Sequence, residues 1–245
     1  MFLNKKGPLL ASLVTALAVM PAHADQNWRG SMEAGMLLAS GNAPERTITA
    51  RADATRNWAD WRQNLNLESR YTERDDQRTA ERYRASTQLD YKFNPHDFVF
   101  VRGSYDDDSF SGFQFQASAT AGYGRRVWQL SDGTYFDASI GAGYRFSRFD
   151  MADPDGRTRE EDPIGRLAAN FRYELSPTAT FRQDLETEVS LDDAESISKS
   201  VTSLQANLVG SLAMRLSYTL ERVSDVPVNR RNTDTITAVT LLYSF

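Results

Sequence analysis

Charged residues recur at every second position in several stretches of this chain: Arg62, Glu68 and Arg70, then Arg82, Arg84 and Asp90, Arg102, Arg172, and the run Arg182, Asp184, Glu186, Glu188. In an extended strand, that spacing puts them all on one face. Two kinds of chemistry follow. Opposite charges from neighbouring strands can pair, and the sequence places Arg70 and Arg82 beside Glu68, Asp90 beside Arg102, and Arg172 near Asp184 and Glu186. Such pairs would fill an interior, because unpaired charge in a low-dielectric space is costly. Alternatively the same side chains form basic and acidic tracks along a narrow channel for a polar solute. Basic and acidic members are close to balance, and a filled interior is the preferred expectation for a structure of intermediate bore. The acidic row Asp184, Glu186, Glu188 is the sharpest single-sign feature. It reads as a partner for Arg166, Arg172 and Arg182 rather than as a cation site.

Other chemistry is thinly represented. The chain holds two histidines and no cysteine, which removes thiol catalysis, disulfides and Cys-ligated metal. His96 lies in a turn beside Pro95 and Asp97, where no Ser or Asp partner at a substrate-facing rim is expected. Asp150, Asp153, Asp155 and Gly156 resemble half a calcium loop. They lack an acidic first ligand at the required spacing, and Asp162 stands where Glu is expected. That run and Asp106-Asp107-Asp108 read as solvated loops, and Ser40-Gly41-Asn42 as turn chemistry. The sequence therefore assigns no catalytic residue, no metal site and no cofactor.

The elements that must position these charges alternate with period two. About twelve segments do so. The cleanest sets Tyr83, Ala85, Thr87, Leu89, Tyr91 and Phe93 against Arg82, Arg84, Ser86, Gln88, Asp90 and Lys92. Connections are expected to alternate in length. Short turns fall near Ala59-Asp60, Asn94 to Asp97, Leu130 to Gly133, Ser176 to Thr178 and Val209 to Ser211. Longer charged loops fall at Ser40 to Glu45, Glu73 to Glu81, Asp106 to Gly112, Asp150 to Asp162, Asp192 to Lys199 and Ser224 to Asn232. Aromatic residues gather at both ends of the apolar face, with Trp61, Tyr91, Tyr123 and Tyr243 toward the short turns and Tyr71, Tyr83, Tyr105 and Tyr144 toward the loops. Short turns on one side, long loops on the other and two aromatic girdles predict an all-β, transmembrane, antiparallel up-and-down barrel. It would have about twelve strands (ten being the alternative), periplasmic turns and extracellular loops.

The two ends fit export to such a place. Lys5 and Lys6, the apolar run Pro8 to Met20 and Ala22-His23-Ala24 form a three-part secretory signal, so residues 1–24 are expected to be cleaved and 25–245 to form the barrel. The apolar run is too short for a spanning helix, which needs roughly twenty residues. Cleavage removes two of the 28 basic residues and none of the 33 acidic ones, moving the net charge from −5 to −7. Net acidity argues against nucleic acid as a partner. At the other end Val239, Leu241, Tyr243 and Phe245 share one face, a pattern expected to serve the outer-membrane assembly machinery.

Ser40-Gly41-Asn42, Gly122-Tyr123-Gly124-Arg125-Arg126, Gly141-Ala142-Gly143-Tyr144-Arg145 and Asn232-Thr233-Asp234-Thr235 leading into Leu241-Leu242-Tyr243-Ser244-Phe245 resemble the YdiY-like salt-induced outer-membrane proteins. The resemblance spans nearly all of 25–245. It implies a Gram-negative outer-membrane barrel in contact with lipid and lipopolysaccharide, an association with salt stress, and no catalytic set to carry over. The functional expectation is a stress-responsive envelope component or a narrow pore for small polar solutes. The alternative is a barrel enzyme, a lipid or peptide hydrolase, which a single histidine in the exported chain disfavours.

Overall fold

The computed structural model describes residues 28–39, 45–75, 77–109, 113–151, 156–192, 195–224 and 232–245. The expected export signal (residues 1–24), Ser40-Gly41-Asn42, Asp153 and Asp155 lie outside the described residues. Twelve strands follow one another: β1 (Trp28–Ala39), β2 (Glu45–Trp58), β3 (Trp61–Arg74), β4 (Gln77–Lys92), β5 (Asp97–Asp108), β6 (Phe113–Ser131), β7 (Thr134–Phe149), β8 (Arg159–Ser176), β9 (Ala179–Ser190), β10 (Ser196–Val209), β11 (Leu212–Val223) and β12 (Thr233–Ser244). Each pairs antiparallel with its neighbours in sequence, and β12 returns to β1, so the sheet is a closed barrel. The choice between ten and twelve strands settles at twelve.

The faces follow the alternation. Leu67, Val101, Ile140, Leu167, Leu216 and Val239 are each about half exposed on the outside, whereas Asp90 is fully buried and Arg145 and Arg166 nearly so. A soluble domain would hide the first set and expose the second. Lipid outside the barrel reverses that preference, and a closed sheet leaves no lipid-facing backbone group without a partner. Aromatic contacts mark both rims. Trp61 packs at a tilt beside Tyr91 (5.0 Å between centroids) and Trp128 stacks near Phe171 (6.4 Å) by the short turns, while Tyr105 meets Phe115 (5.5 Å) and Phe113 meets Phe149 (5.1 Å) by the loops. At the short-turn rim the guanidinium of Arg56 also lies between the rings of Trp28 (5.5 Å) and Trp58 (5.2 Å).

Three loop expectations need correction here. The segment Glu73 to Glu81 is not a long loop: β3 runs to Arg74 and β4 starts at Gln77, leaving two residues between them, the first being Asp75 at φ 51°. Asp tolerates that left-handed backbone. Likewise β8 begins at Arg159, inside the expected 150–162 loop, and β10 begins at Ser196, inside the expected 192–199 loop. At the first two, Glu73–Arg74 with Gln77–Thr79 and Arg159–Asp162, the sequence is polar on both faces, so pairing continues where the apolar alternation has stopped.

The seam between β1 and β12 is the shortest ladder. It aligns Ser31–Ala34 with Leu241–Ser244, whereas β1 pairs with β2 along its whole length. Two further bonds close its lower end, Gly30 N to Phe245 O (2.9 Å) and Phe245 N to Gly30 O (3.0 Å). The Phe245 ring lies over Gly30, where a Cβ would sit 2.4 Å from Cζ. Thus the terminal ring packs into the vacancy left by a glycine. Phe245→Ala and Gly30→Val are each expected to lower stability by about 1–3 kcal/mol, the usual range for lost packing or a new clash. In the double variant, valine occupies the vacated space, so the losses should fall short of additive. Equilibrium unfolding in detergent micelles measures all three.

Candidate functional site

The inward face forms a charged lumen. Its centre is a set of ion pairs that cross from wall to wall. Arg82 and Arg84 on β4 reach Glu221 on β11, Nη1 to Oε2 at 2.5 Å and Nη1 to Oε1 at 3.1 Å. By the shorter way around the barrel, four strands separate β4 from β11, so this contact spans the lumen. Lys199 on β10 spans it too: its Nζ lies 3.2 Å from Glu68 Oε2 on β3 and 3.5 Å from Glu221 Oε1. Asp106 on β5 anchors the cluster by accepting two bonds from Arg82 (2.9 and 2.6 Å) and two from Arg84 (3.1 and 2.9 Å).

Three further clusters line the wall. Glu186 accepts from Arg102 Nη2 (3.2 Å) and Arg166 Nε (3.0 Å), while Glu188 accepts from the Ser118 hydroxyl (3.1 Å). Near the β12 seam, Glu33 accepts from Arg215 Nη1 (2.7 Å) and from the Thr240 hydroxyl (2.9 Å). By the short turns Arg62 bonds Asp90 (2.7 Å) and Arg126 bonds Asp137 through two nitrogens (2.7 and 2.9 Å).

The last cluster rests on an aromatic plate. Phe98 and Phe100 of β5 point inward and are buried. They can do so because their register partners on β6 are Gly124 and Gly122. A Cβ at Gly124 would lie 2.2 Å from Phe98 Cζ, and one at Gly122 would lie 2.8 Å from Phe100 Cζ. Arg62 sits over the Phe98 ring (5.0 Å) and Arg166 over that of Phe100 (5.7 Å), favourable cation–π placements. The plate narrows one end of the lumen.

The interior is not filled. A cavity of about 1140 Å³ runs from Arg74, Thr79 and Asn232 at the long-loop end to Thr55, Arg62 and Tyr135 toward the short turns. A second pocket of about 80 Å³ lies beside the seam, lined by Glu33, Arg51, Ile236 and Thr240 among others.

All twelve charges singled out from sequence face inward, but several partners differ from the expected ones. Asp90 pairs with Arg62, its register partner on β3, and not with Arg102, which reaches Glu186 instead. Glu68 lies 3.9 Å from Arg70 as expected, while Arg82 pairs with Asp106 and Glu221. Arg172 and Arg182 form no ion pair with Asp184 or Glu186 among the described residues; they face each other across the β8–β9 ladder. Asp106 belongs to a strand facing the lumen rather than to a solvated loop, and Lys199 and Glu221 were missed as lumen partners. Period two does place Glu221 on the inward face of β11 and Asp106 on that of β5. The cross-lumen role of Glu221 depends on ring closure, which no local pattern encodes. His96 is exposed in the β4–β5 turn, its backbone N–H donating to Asn94 Oδ1 (2.8 Å). Among the described residues no group of three or more His, Asp or Glu side chains is arranged to hold a metal ion.

Residues 32–245 match the family model "Protein of unknown function, DUF481". The chain belongs to this family. It is 26% identical over 233 residues to the uncharacterized protein YdiY of Escherichia coli (strain K12), across 91% of this chain and 86% of that protein. This family member also shares its fold with an outer-membrane channel from Pseudomonas putida F1, described as COG4313. There the TM-score is 0.51 and the identity 10%, over 93% of this chain and 100% of that one. A NanC porin structure aligns at TM-score 0.49 and 13% identity, over 87% and 97% of the two chains.

Glu221→Gln would leave Arg82, Arg84 and Lys199 short of one carboxylate in the middle of the lumen. Removing one member of a largely buried ion-pair network costs about 3 kcal/mol. Arg125→Gln, at the exposed end of the pair with Asp97 (3.6 Å) on the short-turn rim, is expected to leave stability unchanged. Unfolding of the two variants in micelles checks the contrast.

Proposed function

We propose that the protein is an integral barrel of a Gram-negative outer membrane, with its short turns in the periplasm, acting as a narrow pore for small polar solutes. The observation that carries this is the cavity of about 1140 Å³ running along the lumen. Its wall is polar and nearly charge-balanced, a lining that suits hydrated solutes and excludes apolar ones. The bridges from Arg82, Arg84 and Lys199 to Glu221 and Glu68 divide the bore, so a passing solute must exchange contacts with those groups. Such exchange favours small solutes able to replace one hydrogen bond at a time. The same bridges support a second reading, in which the barrel is a closed, mechanically braced component of the envelope.

Purified protein in a planar bilayer is expected to give discrete conductance steps that grow with salt concentration. A silent bilayer, with folded protein demonstrably inserted, overturns the pore and leaves the braced envelope component. An enzymatic role has only His96 to offer as a base, and hydrolysis that persists in His96→Ala would remove that candidate.

The assignment to the outer membrane carries further expectations. Residues 1–24 act as a cleaved export signal, and the Val239, Leu241, Tyr243, Phe245 face is read by the barrel assembly machinery. The rims meet lipid and lipopolysaccharide, and abundance rises with salt. Mass spectrometry of outer-membrane fractions taken before and after a sodium chloride upshift is expected to find the chain starting at Asp25, in greater amount after the shift. A start at Met1, or equal amounts, contradicts the corresponding part.

A further inference from the structure

Most lumen arginines have a carboxylate; two neighbours do not. Arg172 on β8 and Arg182 on β9 are register partners and point into the barrel from the same height. Like charges placed directly opposite on a sheet repel. The other such pair, Arg70 and Arg82, is relieved by Glu68, Asp106 and Glu221. Around Arg172 and Arg182 the nearest carboxylates are turned elsewhere. Asp184, next on the inward face of β9, accepts from Asn170 Nδ2 at 2.9 Å. Glu174, next on β8, lies against the backbone of Gly133 in the β6–β7 turn. Neither arginine forms an ion pair within 4.0 Å among the described residues, and the buried Nε of each has no hydrogen-bond partner. Both line the large cavity, and Arg182 also borders the smaller one. Tyr135 beside Arg172 and Ser203 beside Arg182 add hydroxyls at the same level.

We propose that Arg172 and Arg182 form an oxyanion-binding site inside the lumen, for a small soluble solute bearing phosphate or carboxylate. Two adjacent guanidinium groups offer fork-shaped donors matched to such oxygens, and the cavity admits a solute of that size. An anion between them would relieve the repulsion that the fold otherwise leaves in place. The site deepens the pore reading by naming a solute class and rests on it only for solute access. Binding is measured at equilibrium, so a silent bilayer would sink the pore without touching this site.

Inorganic pyrophosphate titrated calorimetrically into the folded barrel is expected to give one saturable site. Arg172→Gln/Arg182→Gln should weaken it at least tenfold, and Arg125→Gln, on the outer face, should leave it unchanged. Thermal unfolding gives a second readout that does not require the double variant to fold well. Without the anion, single Arg182→Gln is expected to match or exceed the wild type in stability, because repulsion is removed. With saturating pyrophosphate only the wild type should gain, since a ligand stabilises the state that binds it. The proposal is overturned if the wild type shows no saturable binding or if the double variant binds as tightly. It is also overturned if Arg182→Gln is destabilised in the absence of the anion, as a purely structural arginine would be.

Discussion

Everything in this molecule depends on closing the sheet. A strand in hydrocarbon cannot leave its backbone N–H and C=O groups unpaired, and water is not there to accept them. An open edge between β1 and β12 would carry that penalty along both strands. The ladder that closes them is the shortest in the barrel, four register pairs backed by the reciprocal bonds of Gly30 and Phe245. The aromatic ending is therefore a structural part of the closure as well as a face that assembly machinery could read. Its ring occupies space that only glycine at position 30 leaves open.

Closure also decides what the charges can do. On an open sheet β4 and β11 would be far apart; in a ring of twelve they confront each other across the bore, and Arg82 and Arg84 meet Glu221. Lipid outside sends most mid-strand charges inward, and confinement then brings most of them into pairs. The aromatic plate depends on the same geometry. Phe98 and Phe100 point inward because Gly122, Gly124 and Gly141 leave room on the facing strands, and Arg62 and Arg166 cap the rings. Apolar and ionic groups share one interior without leaving it solid, and the remaining cavity is where a solute can go.

The strands, their faces and the alternation of short turns with longer connections were legible because lipid and lumen make opposite demands on successive residues. Tyr83 to Phe93 shows this cleanly, with tyrosine and leucine on one side and arginine and aspartate on the other. Legibility stopped where the demands stop. At Glu73–Arg74 and Gln77–Thr79, and again at Arg159–Asp162, strand continues above the hydrocarbon with polar residues on both faces, so periodicity gave no sign of it. The pairing of charges was less legible still. Asp90 next to Arg62 is a matter of register, and Lys199 with Glu68 a matter of ring closure. Phe98 and Phe100 break the polar face of their segment in the sequence itself, but their match to Gly124 and Gly122 at the same spacing is again a matter of register.

The preference for arginine follows from the same crowding. After residue 24 only Lys92 and Lys199 are lysines. Arg82 shows what the guanidinium provides: Nε and Nη2 hold the two oxygens of Asp106 while Nη1 reaches Glu221 on the far wall. An ammonium is a point charge on a flexible stem and could not bind one carboxylate through two parallel bonds while reaching another in a separate direction. Lys199 occupies a different position, between Glu68 and Glu221, where a point charge suffices. Each guanidinium, however, carries five donors and cannot shed its charge. A lumen built from arginine therefore holds more donors than its carboxylates can satisfy, and the surplus collects where the nearest carboxylates are drawn away. At Arg172 and Arg182 that surplus faces open cavity, so the device that braces the barrel also leaves it one place with an excess of positive charge.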